Sequence, residues 1–255
     1  MTFPSSLDIA RGLAPGVRVV HCFGRNTAIG ATFTPVTRSG FYRTPQVSGA
    51  TALRIKAGGN ANDTANGSGG RAVRLTGLNA AGEIISEVLA TAGTSASAPT
   101  AQTFIRLLDA NVVASGTYAS QSAASHAGNI TIEAAAGGAD WALISDGSFP
   151  RGDTEVGAYT VPKGRSAYVQ AVRLASDADK KANIILFKRS GILEAAAPYS
   201  GMSLVAEFPA VSGSVAIDYD PPLAFPELTD FGFMASVSSS TVDVTVAFDV
   251  IEVTP

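Results

Sequence analysis

The sequence predicts an all-β protein built as two antiparallel β domains, and three observations carry that reading. Apolar and polar residues alternate with a period of two in several short stretches, and helical periodicity is weak throughout. Glycine (26) and proline (13) punctuate the 255 residues with turns, without the strict repeat of collagen. Because 46% of residues are hydrophobic but only 7% aromatic, the core must be built mainly from small aliphatic side chains.

Taken from the N-terminus, the chain first shows a segment broken by Pro4, Gly12, Pro15 and Gly16, then a first strand over residues 17–23. Leu53 with Ile55, Val73 with Leu75, residues 84–89, 104–108, Ile130 with Ile132, and 141–144 mark further short strands between glycine-rich connections. Residues 146–153 gather Gly, Pro and charge without apolar periodicity, which places a domain boundary near 152. Residues 1–152 are then an N-terminal arm with a sandwich or small barrel, and residues 153–255 a sandwich or jelly roll.

In the second half, strands are expected over 167–174, 184–188, 204–208 and 215–219, separated by turn-forming Asp177-Ala178-Asp179, Ser190-Gly191 and Ser212-Gly213. Residues 192–197 support at most one helical turn. Phe231, Phe233, Ala235 and Val237 alternate, as do Val242, Val244, Val246, Phe248 and Val250. Ser238-Ser239-Ser240 between them is short enough for a hairpin, so these two strands are expected to pair. A change of phase at Val250-Ile251 predicts a β-bulge.

Charge and chemistry then narrow the function classes. A net charge of −3, with no face of clustered Lys and Arg, argues against nucleic acid as a partner. The lone Cys22 excludes an internal disulfide and suits synthesis in a reducing compartment. The N-terminal residues lack a basic then apolar pattern, so no secretory signal is expected, and residues 110–132 are too rich in polar residues to span a membrane.

No motif rises to a catalytic or ligand site. The glycine-rich run 58–71 lacks the Gly-Lys-Ser/Thr and the following helix of a phosphate cradle, and Asp63 alone falls short of a calcium cage. Arg151-Gly152-Asp153 matches a cell-adhesion tripeptide but is explained by its place in the boundary segment. His21 and His126 lack partners at metal-ligand spacing, and no Gly-x-Ser-x-Gly elbow occurs. The carboxylates Asp177, Asp179, Glu194, Glu207, Asp218 and Asp220 lie mostly beside turns. The expectation is a non-enzyme with no cofactor, no metal and no small-molecule substrate.

The segments Val20-His21-Cys22-Phe23-Gly24-Arg25-Asn26, residues 63–73, Thr76-Gly77-Leu78-Asn79-Ala80-Ala81-Gly82-Glu83, Ser86-Glu87, Phe104-Ile105-Arg106, Val113-Ala114-Ser115-Gly116 and residues 159–168 resemble a family of virion structural proteins of marine tailed bacteriophages. Phe41-Tyr42-Arg43-Thr44-Pro45 departs from the tryptophan-rich strand expected there. The resemblance implies a component of the phage particle, made in the host cytoplasm and carried on the capsid surface. Its implied role is decoration or cement, with the major capsid protein as partner. A tail or fibre component that recognises the host surface is the alternative. Surface proteins on symmetric lattices favour closed cyclic assemblies, so self-association as a homotrimer is expected. The segment 2–25 has little periodicity with which to stabilise itself and is expected to make assembly contacts through Phe3, Leu7, Ile9 and Leu13.

Overall fold

The computed structural model describes residues 6–116, 125–146, 152–177, 179–238 and 240–254. Among them the chain forms β1 (Val17–Ile29), β2 (Thr34–Pro35), β3 (Thr51–Ile55), β4 (Gly70–Leu78), β5 (Ile84–Ala90), β6 (Thr103–Phe104), β7 (Arg106–Ser115), β8 (Ile130–Ala134) and β9 (Asp140–Ile144). There follow β10 (Ala158–Thr160), β11 (Ser166–Ser176), β12 (Ala182–Arg189), β13 (Ser203–Val211), β14 (Gly213–Phe225), β15 (Asp230–Val237) and β16 (Val242–Val253). The α-helices are short, α1 (Ser6–Ala10) and α2 (Pro45–Ser48). The expected all-β, antiparallel fold is what the chain adopts. Residues 192–197 form turns and bends rather than a helical turn.

Two compact units are present. The first comprises Met1–Gly40, Gly157–Ile192 and Pro198–Pro255; the second comprises Phe41–Val156 and Leu193–Ala197. Against the expected division into 1–152 and 153–255, residues 1–40 group with the C-terminal strands, and the chain passes between units at Gly40/Phe41 and Val156/Gly157. The reason is pairing: β1 runs antiparallel to β16, from Val17 opposite Val253 to Ile29 opposite Val242.

In the first unit the sheets are ordered β1-β16-β11-β14 and β10-β15-β12-β13. First strand beside last, with β12 and β13 paired in one sheet and the other consecutive strands crossing between the sheets, is the order of an eight-stranded jelly roll. Its second strand is split, with β2 opposite Met234 and Ala235 of β15 and β10 opposite residues 230–232. The chain leaves this split edge after residue 40 and returns at 157, so the second unit, apart from Leu193–Ala197, is an insertion within one strand of the roll. At the split, Gly157 N–H donates to the Val36 carbonyl (3.0 Å), and Val36 and Gly157 bond Phe233 from either side (both 2.9 Å).

The core of the roll is aromatic where the sheets face each other. Phe225 of one sheet stacks on Phe231 of the other at 4.1 Å between ring centroids, and Phe233 lies 5.4 Å from Phe248. These contacts explain why β15 and β16 do not form the expected hairpin. Each turns its apolar side inward from a different sheet, so Phe231 and Phe233 meet Phe248 across the core instead of along a shared ladder. The expected bulge at Val250-Ile251 is also absent. Strand β16 stays in phase to its end, with Glu252 filling the next buried position, and the irregularity falls on β11 between Val169 and Val172.

The second unit is a sandwich of a β6-β3-β8-β9 sheet and a β5-β4-β7 sheet. Leu53, Val73, Leu75, Phe104, Ile132, Trp141 and Ile144 fill its core. The strands are those the alternation marks, because each carries its apolar residues on one face.

Candidate assembly surface

The N-terminal segment divides into two parts with different physical roles. Phe3 lies outside the described residues. Leu7 and Leu13 are 63% and 57% exposed, while Ile9 is half-buried as α1 packs beside β1. Backbone bonds from Arg11 N–H to Leu7 O (2.9 Å) and Leu13 N–H to Asp8 O (2.8 Å) wind this stretch into a compact turn that holds the two leucines outward.

Residues 17–25, expected to belong to the same assembly arm, are instead an integral strand of the roll. Two ion pairs, Arg18 to Glu252 and Arg25 to Asp243, and a hydrogen bond between His21 Nδ1 and Asp249 (2.6 Å) clamp β1 to β16. Glu252 is fully buried and accepts hydrogen bonds from Arg18 and from the Tyr159 hydroxyl, with Arg165 at 3.4 Å. Burial, then the Glu252 charge, pushes the Tyr159 hydroxyl well above its ordinary pKa, so it remains a donor. This buried carboxylate joins β1, β10, β16 and the turn before β11.

In the second unit, Asp63 organises the glycine-rich run. Its Oδ1 accepts from Gly70 N–H (2.7 Å) and Ala127 N–H (2.8 Å), and its Oδ2 from Gly128 N–H (2.9 Å). The carboxylate is buried and points at backbone donors, which makes it a staple between two loops. Gly69 is required beside it, since a Cβ there would stand 2.1 Å from Asp63 Oδ1. We expect Asp63→Asn to destabilise this unit by about 2 kcal/mol through weakened bonds to buried N–H groups; urea unfolding followed by Trp141 fluorescence checks it.

His126 is buried against the same loops, with Nδ1 2.8 Å from Ser125 Oγ. Burial lowers its pKa, and the nearby Asp63 and Asp146 charges offset this only in part. The unfolded chain therefore binds the proton more readily than the folded one. The associated stability is intact above about pH 6.5 and falls as the pH drops below it. Melting at pH 8 and pH 5 should show a larger drop for the native chain than for His126→Gln.

The remaining sequence candidates are dispersed. Asp153 bridges to Asn111 through the backbone, and Asp177 accepts from Asp243 N–H (3.4 Å). Arg151 lies outside the described residues. Asp109, which the sequence did not single out, is pushed upward in pKa chiefly by burial and is held by the Thr154 hydroxyl at 2.9 Å. No group of three or more His, Cys, Asp or Glu able to hold a metal occurs among the described residues. No helix among them is long and apolar enough to cross a membrane.

The surface that sequence reasoning missed is the edge formed by β13 and β14. These strands are joined by Ser212 alone yet lie at the edges of opposite sheets. Leu204 is 59% exposed and Val215 37%, with Tyr199 and Met202 exposed in the preceding turn. Val215 and Ile217 pair with the buried Leu174 and Val172, so they stand on the core-facing side of their sheet but are left only partly covered. The roll is open along this edge. The edge carries Glu207, Asp218 and Asp220 and no Lys or Arg.

No family model matches the chain, and no curated protein matches it. Among solved structures it is similar to a chain described as "Structure of infectious bursal disease virus Gx strain", at 8% identity and a TM-score of 0.23, covering 93% of this chain and 76% of that one. A likeness at that score carries no argument about fold or function.

Proposed function

We propose that this chain is a non-enzymatic virion structural protein of a tailed bacteriophage, placed on the capsid exterior as a decoration or cement protein. The observation that carries the reading is the eight-stranded jelly roll with a second β-sandwich inserted in its split edge strand. The jelly roll is an architecture shared by capsid proteins, lectins and cupins. The resemblance of the segments around Val20, Asp63 and Tyr159 to phage virion proteins selects the first of these. The polar residues with chemical potential fit the reading, because Asp63, Glu252 and Asp109 are each engaged in holding strands or loops. A cement protein acts by adding interface area between capsid subunits, which raises the stability of the assembled shell through mass action.

The test is a count of copies per virion, by quantitative mass spectrometry against the major capsid protein. Several hundred copies, with loss of particle stability when the gene is deleted, is the expected result. A dozen or fewer copies would overturn the decoration reading in favour of a tail or fibre component. Absence from purified particles would overturn both.

A further inference from the structure

We infer that the open edge formed by β13 and β14 binds the N-terminal segment of a second copy of this chain, so that copies associate head to tail. Strand β14 has 13 residues, a length of about 43 Å at the usual strand rise. With facing sheets about 10 Å apart, the strip measures on the order of 400 Å², enough for a short segment and in the range of a weak, reversible interface.

With three carboxylates and no cation on β13 and β14, two such edges would repel each other, which disfavours packing of the edge on its own counterpart. Among the described residues none of Glu207, Asp218 and Asp220 forms an ion pair. A complementary partner needs exposed apolar groups beside a positive charge. The N-terminal segment presents Leu7 and Leu13 outward with Arg11, which is exposed and makes no ion pair among the described residues, while Asp8 already has an interaction within its own chain.

Exposed edge strands are usually guarded against added strands by Lys or Pro. Here Pro209, Pro221 and Pro222 interrupt the donors of both edges, and residues 219–222 bulge from the β11 ladder, so strand addition is blocked while side-chain contact is not. A short segment offering leucines and one arginine suits that surface. Donor and acceptor are different surfaces of one chain, so the contact is heterologous and closes into a ring when the rotation permits.

The test is sedimentation of the full chain over a range of concentrations and salt, with circular dichroism as the control for folding. The native chain should associate reversibly, and less so at high salt. Deleting residues 2–13, or introducing Leu204→Asp with Val215→Asp, should abolish association while leaving the β spectrum intact. Arg11→Glu should weaken it about tenfold, the scale of a lost charge pair at an interface. Combining Arg11→Glu with Asp218→Lys and Glu207→Lys should restore it. A monomer at every concentration overturns the inference, as does normal association of either the deletion or the edge variant. If Asp218→Lys with Glu207→Lys fails to rescue Arg11→Glu, the charge pairing is wrong. None of these measurements involves a virion, so their failure is separable from failure of the capsid reading.

Discussion

Gly24→Ala is expected to cost about 3 kcal/mol or more, the upper range for forcing atoms into a filled site. A Cβ at Gly24 would lie 2.3 Å from the Gly157 Cα and N and from the Val36 carbonyl oxygen. All three obstacles are backbone, so no rotamer change relieves the clash. Either β1 must lift from the split edge strand or the Val36–Gly157–Phe233 hydrogen bonds must break. Gly30→Ala is the control, since nothing lies within 4 Å of its added Cβ and its φ is ordinary. Thermal and urea unfolding of the two variants should differ sharply, with Gly30→Ala close to native; equal stability would show that β1 does not sit where the roll places it.

Glu252→Ala should be nearly as damaging, at about 3 kcal/mol, the scale for removing one member of a buried ion pair. Arg18 and Arg165 are 40% and 29% exposed in their side chains and can recover some hydration, whereas the buried Tyr159 hydroxyl loses its acceptor. Combining Glu252→Ala with Tyr159→Phe should therefore cost less than the sum of the two single changes. A double-mutant cycle measured by urea unfolding reads this directly, and strict additivity would show that the hydroxyl and the carboxylate are not coupled.

Glu252 also explains where sequence reasoning went astray. A charged residue at the next buried position made the alternation of β16 look as if it changed phase, when the phase held and the charge was accommodated by two arginines and a tyrosine from distant parts of the chain. Strands themselves were legible because their side-chain period is local. Their partners were not: Ser238 and Ser240 flank a turn short enough for a hairpin, yet Phe233 and Phe248 face each other across a core. The pairing of β1 with β16 leaves no trace in either segment alone. Among the assembly candidates, Leu7 and Leu13 were readable as apolar residues without a periodic partner. The exposure of Leu204 and Val215 was not, because on sequence they are ordinary core-facing strand residues and only the strand order reveals that nothing covers them.

The pairing of the first strand with the last sets the order in which the chain can fold as it is made. Val17 must wait for Val253, 236 positions later, before it can pair. At ribosomal rates this is a delay of roughly 10 to 50 s, during which β1 stays unsatisfied. Every residue of the second unit emerges within that interval, and the unit has its own core. The roll has most of its pairings at long range and closes last. Translation therefore stages the protein from the middle outward, with the last strand released acting as the latch, and a nascent chain truncated between residues 197 and 242 carries a finished insert on an unclosed roll.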